Sequence, residues 1–238
     1  MKTDYVIMCG GFGSRLRPFT YLIPKPFLTT NNISPFEYSL INILKNKKIG
    51  KIFVTAFYKK DFTKKIINKK KKKIKKIKLV IEEQPLGTAG CLRLIVKKSK
   101  CSHLIVINGD LFAKVNFNEL ITEHTNKKSD MTICVKSHKI KFPYAIMTKK
   151  KNKIVFKEKP TLIKKINAGI YIIKKNFLVN FFKKKKESFV NMDEVFNSSK
   201  KINTFDIGDK WIDIGHINDF KKAYSEIKTW SNRLLHSL

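Results

Sequence analysis

Short apolar runs alternate along this chain with longer stretches of mixed polarity. The runs at 5–9, 52–57, 77–81, 104–107, 131–135, 144–147, 154–156 and 168–173 are brief and rich in β-favouring residues, the pattern of strands buried in a sheet. Between several of them lie helix-like stretches at 35–46, 89–98, 116–125 and 176–184, and another follows at 217–228. Strand and helix taken in turn predict β-α-β units, hence an α/β fold around a mostly parallel central sheet flanked by helices. The later runs crowd closer together, so the second half is expected to carry antiparallel strands as well. No Pro-, Gly- or Ser-rich linker and no internal repeat divides the chain, so it reads as one domain over 1–238 with a loose tail at 229–238.

Charge changes that picture less than its size suggests. The 238 residues include 51 basic and 18 acidic side chains, a net charge of +33, a balance that raises nucleic acid or an anionic membrane surface as partners. The lysine runs at 69–73 and 183–186 lack any interleaved aromatic pattern for stacking bases, and abundant Asn, Ile and Phe accompany them, as an AT-biased genome would produce. They read as solvated faces, with 64–78 on an exposed helix end and loop, and no specific nucleic-acid partner is expected. The excess charge would still steer anionic nucleotides inward. Cys9, Cys91, Cys101 and Cys134 form no C-x-x-C pair and no zinc spacing with the five histidines, which fits core thiols in a reducing compartment. With no leader-like start and no apolar stretch near the ~20 residues of a membrane span, the expectation is a cytoplasmic protein without membrane insertion.

The densest chemistry follows the first run. Residues 10–26 read G-G-F-G-S-R-L-R-P-F-T-Y-L-I-P-K-P. Gly10, Gly11 and Gly13 let the backbone turn and bare its amides at a strand's carboxyl end, an anion-binding concavity in open α/β sheets. Arg15 adds a planar fork of donors for phosphate oxygens, Arg17 adds positive potential, and Lys25 sits between Pro24 and Pro26 in what reads as extended backbone. The segment matches neither the dinucleotide fingerprint nor the P-loop, and a glycine cluster alone also fits a tight turn.

Four further groups stand out. Asn108-Gly109-Asp110 follows a buried run, so Asp110 should stand on the same rim as the glycine turn, placed to hold Mg²⁺, though an Asn-Gly-Asp turn fits too. In Trp211-Ile212-Asp213-Ile214-Gly215 the carboxylate could sit in an ordinary strand-end turn, and Asp206 and Asp209 compete with it as a second metal ligand. Residues 82–90, E-E-Q-P-L-G-T-A-G, leave a strand for a helix, with main chain bared to read a nucleobase edge and Thr88 available as a cap. In Glu158-Lys159-Pro160 the carboxylate can accept from two sugar hydroxyls while the ammonium neutralises a phosphate.

The first of these segments resembles G-G-x-G-T-R-L-x-P-x-T-x-x-x-P-K-P of the sugar-1-phosphate nucleotidylyltransferases, with Ser14 in place of threonine. The likeness extends to the G-D at Asp110, to E-x-x-P-L-G-T-A-G, to E-K-P followed by N-A-G-[IV]-Y, and to W-x-D-I-G, in family order over roughly residues 4 to 225. It implies a Rossmann-like nucleotidyltransferase fold and transfer of a nucleoside monophosphate from an NTP to a sugar 1-phosphate, releasing pyrophosphate. By this resemblance Arg15 and Lys25 are catalytic. Cys9, Gly10, Gly11, Gly13, Ser14, Gln84, Gly87 and Thr88 bind nucleotide; Glu158, Lys159, Asn167 and Gly169 bind the sugar phosphate; Asp110 and Asp213 hold Mg²⁺. Tyr144-Ala145 departs from the family's Tyr-Gly. The short length, G-G-F-G and L-R-P-F-T look most like guanylyltransferases acting on mannose, heptose or amino-sugar 1-phosphates, so GTP leads over the thymidylyl and uridylyl alternatives. A setting in nucleotide-sugar or surface-glycan synthesis is also implied, and assembly as a homo-oligomer is left open. Two rivals from other classes stand beside this reading, a basic nucleic-acid-binding protein and a non-catalytic nucleotide-sensing homologue.

Overall fold

The computed structural model describes residues 1–151 and 153–230. Strand β1 (Thr3–Met8) is followed, after three short 3-10 turns, by α1 (Pro35–Leu44), β2 (Ile49–Ala56), α2 (Lys60–Lys73), β3 (Ile77–Ile81), α3 (Cys91–Lys98), β4 (His103–Asn108), β5 (Leu111–Ala113) and α4 (Phe117–Asn126). The second half runs through β6 (Met131–Lys141), β7 (Ile146–Lys150), β8 (Lys153–Lys157), β9 (Thr161–Lys174), α5 (Lys175–Lys184), α6 (Met192–Asn197), β10 (Ile202–Asp206), β11 (Trp211–Asp213) and α7 (Ile217–Trp230). Two residues of the expected tail, Thr229 and Trp230, close α7; residues 231–238 lie outside the described residues.

Seven strands form one sheet in the order β10-β6-β9-β4-β1-β2-β3. Parallel pairing joins β1 to β2 and β4, β2 to β3, and β6 to β10, while β9 alone runs against its two neighbours. The mostly parallel sheet is as the sequence predicts, and β9 with the β7–β8 hairpin supplies the expected antiparallel element. Because β2 and β3 lie to one side of β1 and β4 to the other, the direction of winding reverses between β1 and β4, where open sheets place ligands.

The two-residue period of the strands divides the core. Tyr5, Ile7, Ile52, Val54, Ile105 and Ile107 meet Phe36, Leu40, Ile67 and Leu120 of α1, α2 and α4 on one face. Val6, Phe53, Leu104 and Val106 meet Leu92, Ile95, Leu178 and Val195 of α3, α5 and α6 on the other. Ser34 starts α1 through a capping box with Glu37, and Pro35 occupies the first turn, where its missing N–H costs nothing. The lysine-rich stretch is more ordered than expected: α2 begins at Lys60, buries Thr63 and Ile67, and is tied to α1 by Lys70–Glu37 at 2.9 Å.

A third cluster matters for the site. Ala223 and Ile227 of α7 press on Ile212, Ile214, Phe112 and Tyr38, which clamps β11 antiparallel against β5, Asp213 opposite Leu111. Elsewhere β6 and β9 run past the end of β10 as a two-stranded arm, residues 136–141 against 161–166. The hairpin within that arm leaves Met147, Ile154 and Phe156 exposed.

Candidate active site

The seam between β1 and β4 builds the site. Met8 stands opposite Asn108, and the Gly109 amide donates to the Met8 carbonyl at 2.9 Å. A Cβ on Gly109 would lie 2.3 Å from that oxygen, so only glycine lets the strand ends come this close. One end opens into the glycine turn, the other into Asp110. At Gly13 the backbone takes φ 62°, which glycine adopts without strain, and the Thr20 hydroxyl donates to its carbonyl at 3.0 Å. The 3-10 turn that follows buries Leu16 and leaves Ser14 and Arg15 on the surface.

A cavity of about 680 Å³ opens at this seam, within the usual range for small-molecule sites. The turn contributes Gly10, Gly11, Gly13, Ser14, Arg15 and Lys25 to its wall. Gly87 and Thr88 face them from the loop after β3, and Asp110 and Asn167 are the other predicted residues on the wall; Asp213 lies behind it, reached through Lys25.

Lys25 joins the distant parts. Its Nζ donates to Asp110 Oδ2 at 2.5 Å and lies 3.5 Å from Asp213 Oδ1. Antiparallel pairing of β11 with β5, directly after Asp110, brings the second carboxylate there, and the Ile214 amide donates to the Asp110 carbonyl at 3.2 Å. Burial, then the neighbouring Asp110 charge, pushes the Asp213 carboxyl above its ordinary range, with Lys25 and Arg15 pulling the other way. Asp213 Oδ1 is sealed from solvent with no hydrogen-bond donor among the described residues; at 3.5 Å its contact with Lys25 is an ion pair rather than a directed bond. Arg15 stands beside the end of β11, its Nη1 3.7 Å from where a Cβ on Gly215 would be. Of the late aspartates, Asp213 stands beside Asp110, whereas Asp206 pairs with Lys165 and with Asp209 borders a separate cleft.

Other expected residues lie elsewhere. Cys9 is fully buried beneath the turn, and burial raises its thiol pKa. Gln84 turns away to the Ser188 hydroxyl at 3.3 Å. Glu158 and Lys159 are exposed in the turn after β8 and Gly169 lies at the β9 irregularity; none of the three is on the cavity wall, whereas Asn167, hydrogen-bonded to the Tyr171 hydroxyl, is. Two local expectations need correction. Lys25 begins a 3-10 turn rather than extended chain, because Phe27 buries against Phe36 and Phe62 and its amide closes on the Pro24 carbonyl. Thr88 does not cap α3; its hydroxyl accepts from the Met192 amide at the start of α6. Arg17 stacks on Tyr21 and is not part of the wall.

Sequence reasoning passed over Glu82. It is 5 % exposed, lines the cavity, and its Oε1 would be 3.0 Å from a Cβ on Gly10. Burial lifts its carboxyl pKa, opposed by a hydrogen bond from Thr55. The signal was the strand period, which sets Glu82 on the same face as buried Val80. The wall formed by Phe189, Asn191 and Asp193 ahead of and within α6 was missed as well; six helical residues leave too short a period to see.

A family model described as nucleotidyl transferase matches residues 4–229. The D-glycero-alpha-D-manno-heptose 1-phosphate guanylyltransferase of Aneurinibacillus thermoaerophilus is 29% identical over 229 residues, covering 94% of this chain and 98% of that one. The mannose-1-phosphate guanyltransferase of Saccharomyces cerevisiae is 30% identical over 234 residues, 90% of this chain but 62% of its own length, so the chain spans about three fifths of that relative. Among solved structures, HddC from Yersinia pseudotuberculosis superposes with a TM-score of 0.72 at 27% identity, covering 94% of this chain and 99% of that one. The same protein has also been solved in complex with GMP-PN, with a TM-score of 0.72.

Proposed function

The chain belongs to the nucleotidyl transferase family, and on that premise we propose that it transfers GMP from GTP to a sugar 1-phosphate, yielding a GDP-sugar and pyrophosphate. The observation that carries this reading is Lys25 bridging Asp110 and Asp213 at the mouth of the glycine turn. The turn's amides and Arg15 would take the triphosphate, and a sugar-phosphate oxygen would attack the α-phosphorus in line. The bond from α-phosphorus to the bridging oxygen breaks as the new P–O bond forms, and the electron pair leaves with pyrophosphate. No side chain need become covalently attached, so the protein's part is positioning and charge stabilisation: Lys25 on the α-phosphate, Arg15 on the transferring and leaving groups. The two carboxylates fit Mg²⁺, which takes one or two carboxylates plus substrate oxygens, and Asp213 Oδ1, ion-paired with Lys25 but accepting no hydrogen bond among the described residues, is an oxygen such an ion could take. When bound there, the ion would neutralise phosphate charge.

Glu82 supports guanine as the base. A buried carboxylate with no ion-pair partner among the described residues offers two acceptor oxygens. Guanine presents adjacent donors, N1–H and its 2-amino group, whereas uracil and thymine set a carbonyl on each side of one N–H. Similarity to heptose and mannose 1-phosphate guanylyltransferases supports those acceptor sugars. We read 1–238 as a single domain acting in nucleotide-sugar biosynthesis in the cytoplasm. That fits one sheet drawing strands from Thr3 to Asp206 and four free cysteines. No helix among the described residues is long and apolar enough to cross a membrane.

The test is pyrophosphate release with five nucleotides crossed against mannose, heptose and glucose 1-phosphates. GTP with mannose or heptose 1-phosphate is expected to lead, and Glu82→Gln to lower the GTP-over-UTP ratio in kcat/KM by about tenfold or more. Release led by dTTP or UTP would move the protein to the thymidylyl or uridylyl class. No release with any pair would overturn the enzymatic reading.

A further inference from the structure

Lys25 already occupies the place a metal would take. Its ammonium engages both carboxylates, Asp110 Oδ2 at 2.5 Å and Asp213 Oδ1 at 3.5 Å, and the residue is 7 % exposed. Among the described residues, Asp110 Oδ2 is the acceptor within hydrogen-bond distance of its ammonium. The backbone allows little escape: the 3-10 turn of Lys25–Phe27 is closed by the Phe27 and Leu28 amides, and Phe27 is wedged between Phe36 and Phe62. The side chain is therefore the part able to move. A divalent ion and an ammonium seeking the same two oxygens would stand within a few ångströms of each other, half sealed from water, where like charges repel strongly. Occupancy is one or the other.

We propose that Lys25 is a displaceable counter-ion, holding Asp110 and Asp213 in the free protein and keeping divalent cations off them until nucleotide phosphates draw its ammonium away. The proposal rests on the reading above, that a triphosphate binds at the glycine turn. The phosphates give the ammonium a more highly charged partner, and its departure leaves two carboxylates uncompensated next to the incoming ion. Ion and nucleotide then bind with positive coupling, and by linkage each strengthens the other equally.

The experiment is direct Mn²⁺ binding to the nucleotide-free protein by electron paramagnetic resonance, Mn²⁺ preferring the oxygen ligands that suit Mg²⁺. Wild type should show no saturable site up to millimolar Mn²⁺. Lys25→Met, which removes the charge and keeps the stem, should bind Mn²⁺ at least tenfold more tightly, and Lys25→Met/Asp213→Asn should lose that gain. Micromolar binding by wild type overturns the proposal whatever the variants do, as does a folded Lys25→Met protein that binds no better than wild type. Lys25→Gln is the alternative should the Met variant fail to fold. If Lys25→Met gains the site while no nucleotide is ever turned over, the counter-ion stands and the proposed activity falls. Turnover together with a tight wild-type site gives the reverse.

Discussion

His124 lies outside the cavity wall, 1 % exposed, with Nδ1 2.8 Å from the Thr132 hydroxyl and Nε2 without a hydrogen-bond partner among the described residues. His103 meets it edge-on at 5.2 Å, and Lys174 adds positive charge while Asp130 opposes it. Burial above all, then His103 and Lys174, depresses its pKa to about 4. An unfolded chain takes up this proton below about pH 6.5, and the folded one does not until about pH 4. Stability from this group is therefore complete above the unfolded value and falls as pH drops towards the folded one, by ~3 kcal/mol in all. Urea midpoints of wild type should fall across that window, and His124→Gln, which keeps an acceptor for Thr132, should flatten the slope; equal slopes would refute the assignment. At this scale the sequence was most legible where chemistry and turn residues coincide, as at Arg15, Lys25 and Asp110. Glu82 and Gln84 show the limit. Both lie in one acidic, proline-bearing loop, and which of them faces the cavity depends on strand parity and on Ser188, a hundred residues away.

Elements of five or more apolar residues were readable because burial on both faces of a sheet leaves a continuous hydrophobic run. What escaped was short or polar: β5 and β11 have three residues each, and the outer half of β9 reads T-L-I-K-K-I, lysine-rich because that half of the strand lies largely exposed in the two-stranded arm. Those short pieces decide the site, since the β5–β11 pair carries Asp213 to Asp110. The β1–β4 seam gives the test at this scale. Gly109→Ala puts a methyl 2.3 Å from the Met8 carbonyl, and the seam must part. We expect a loss of about 2–3 kcal/mol by urea unfolding, with a larger proportional loss of turnover because the parted strands carry both halves of the site. Wild-type stability would mean that the strand ends are not in register as described.

For the molecule as a whole, a charge of +33 around an open cavity raises the local concentration of nucleotide. The field decays over about 10 Å at 0.1 M salt and about 3 Å at 1 M. The association rate of GTP measured by stopped flow should accordingly fall severalfold over that interval while its dissociation rate changes less; a flat association rate would reduce the lysines to solubility. The overall architecture was legible because alternation of strand and helix leaves few topologies open, whereas the arm was not, being held by pairing rather than by a core. That arm has a mechanical consequence. Strand β9 runs from the arm at Thr161 to the sheet at Lys174, with an irregularity around Gly169, and Asn167, midway along it, forms part of the cavity wall. It is a cantilever with its root at the rim of the cleft, so a load applied to the paired strands at 161–166 is transmitted along the backbone to Asn167.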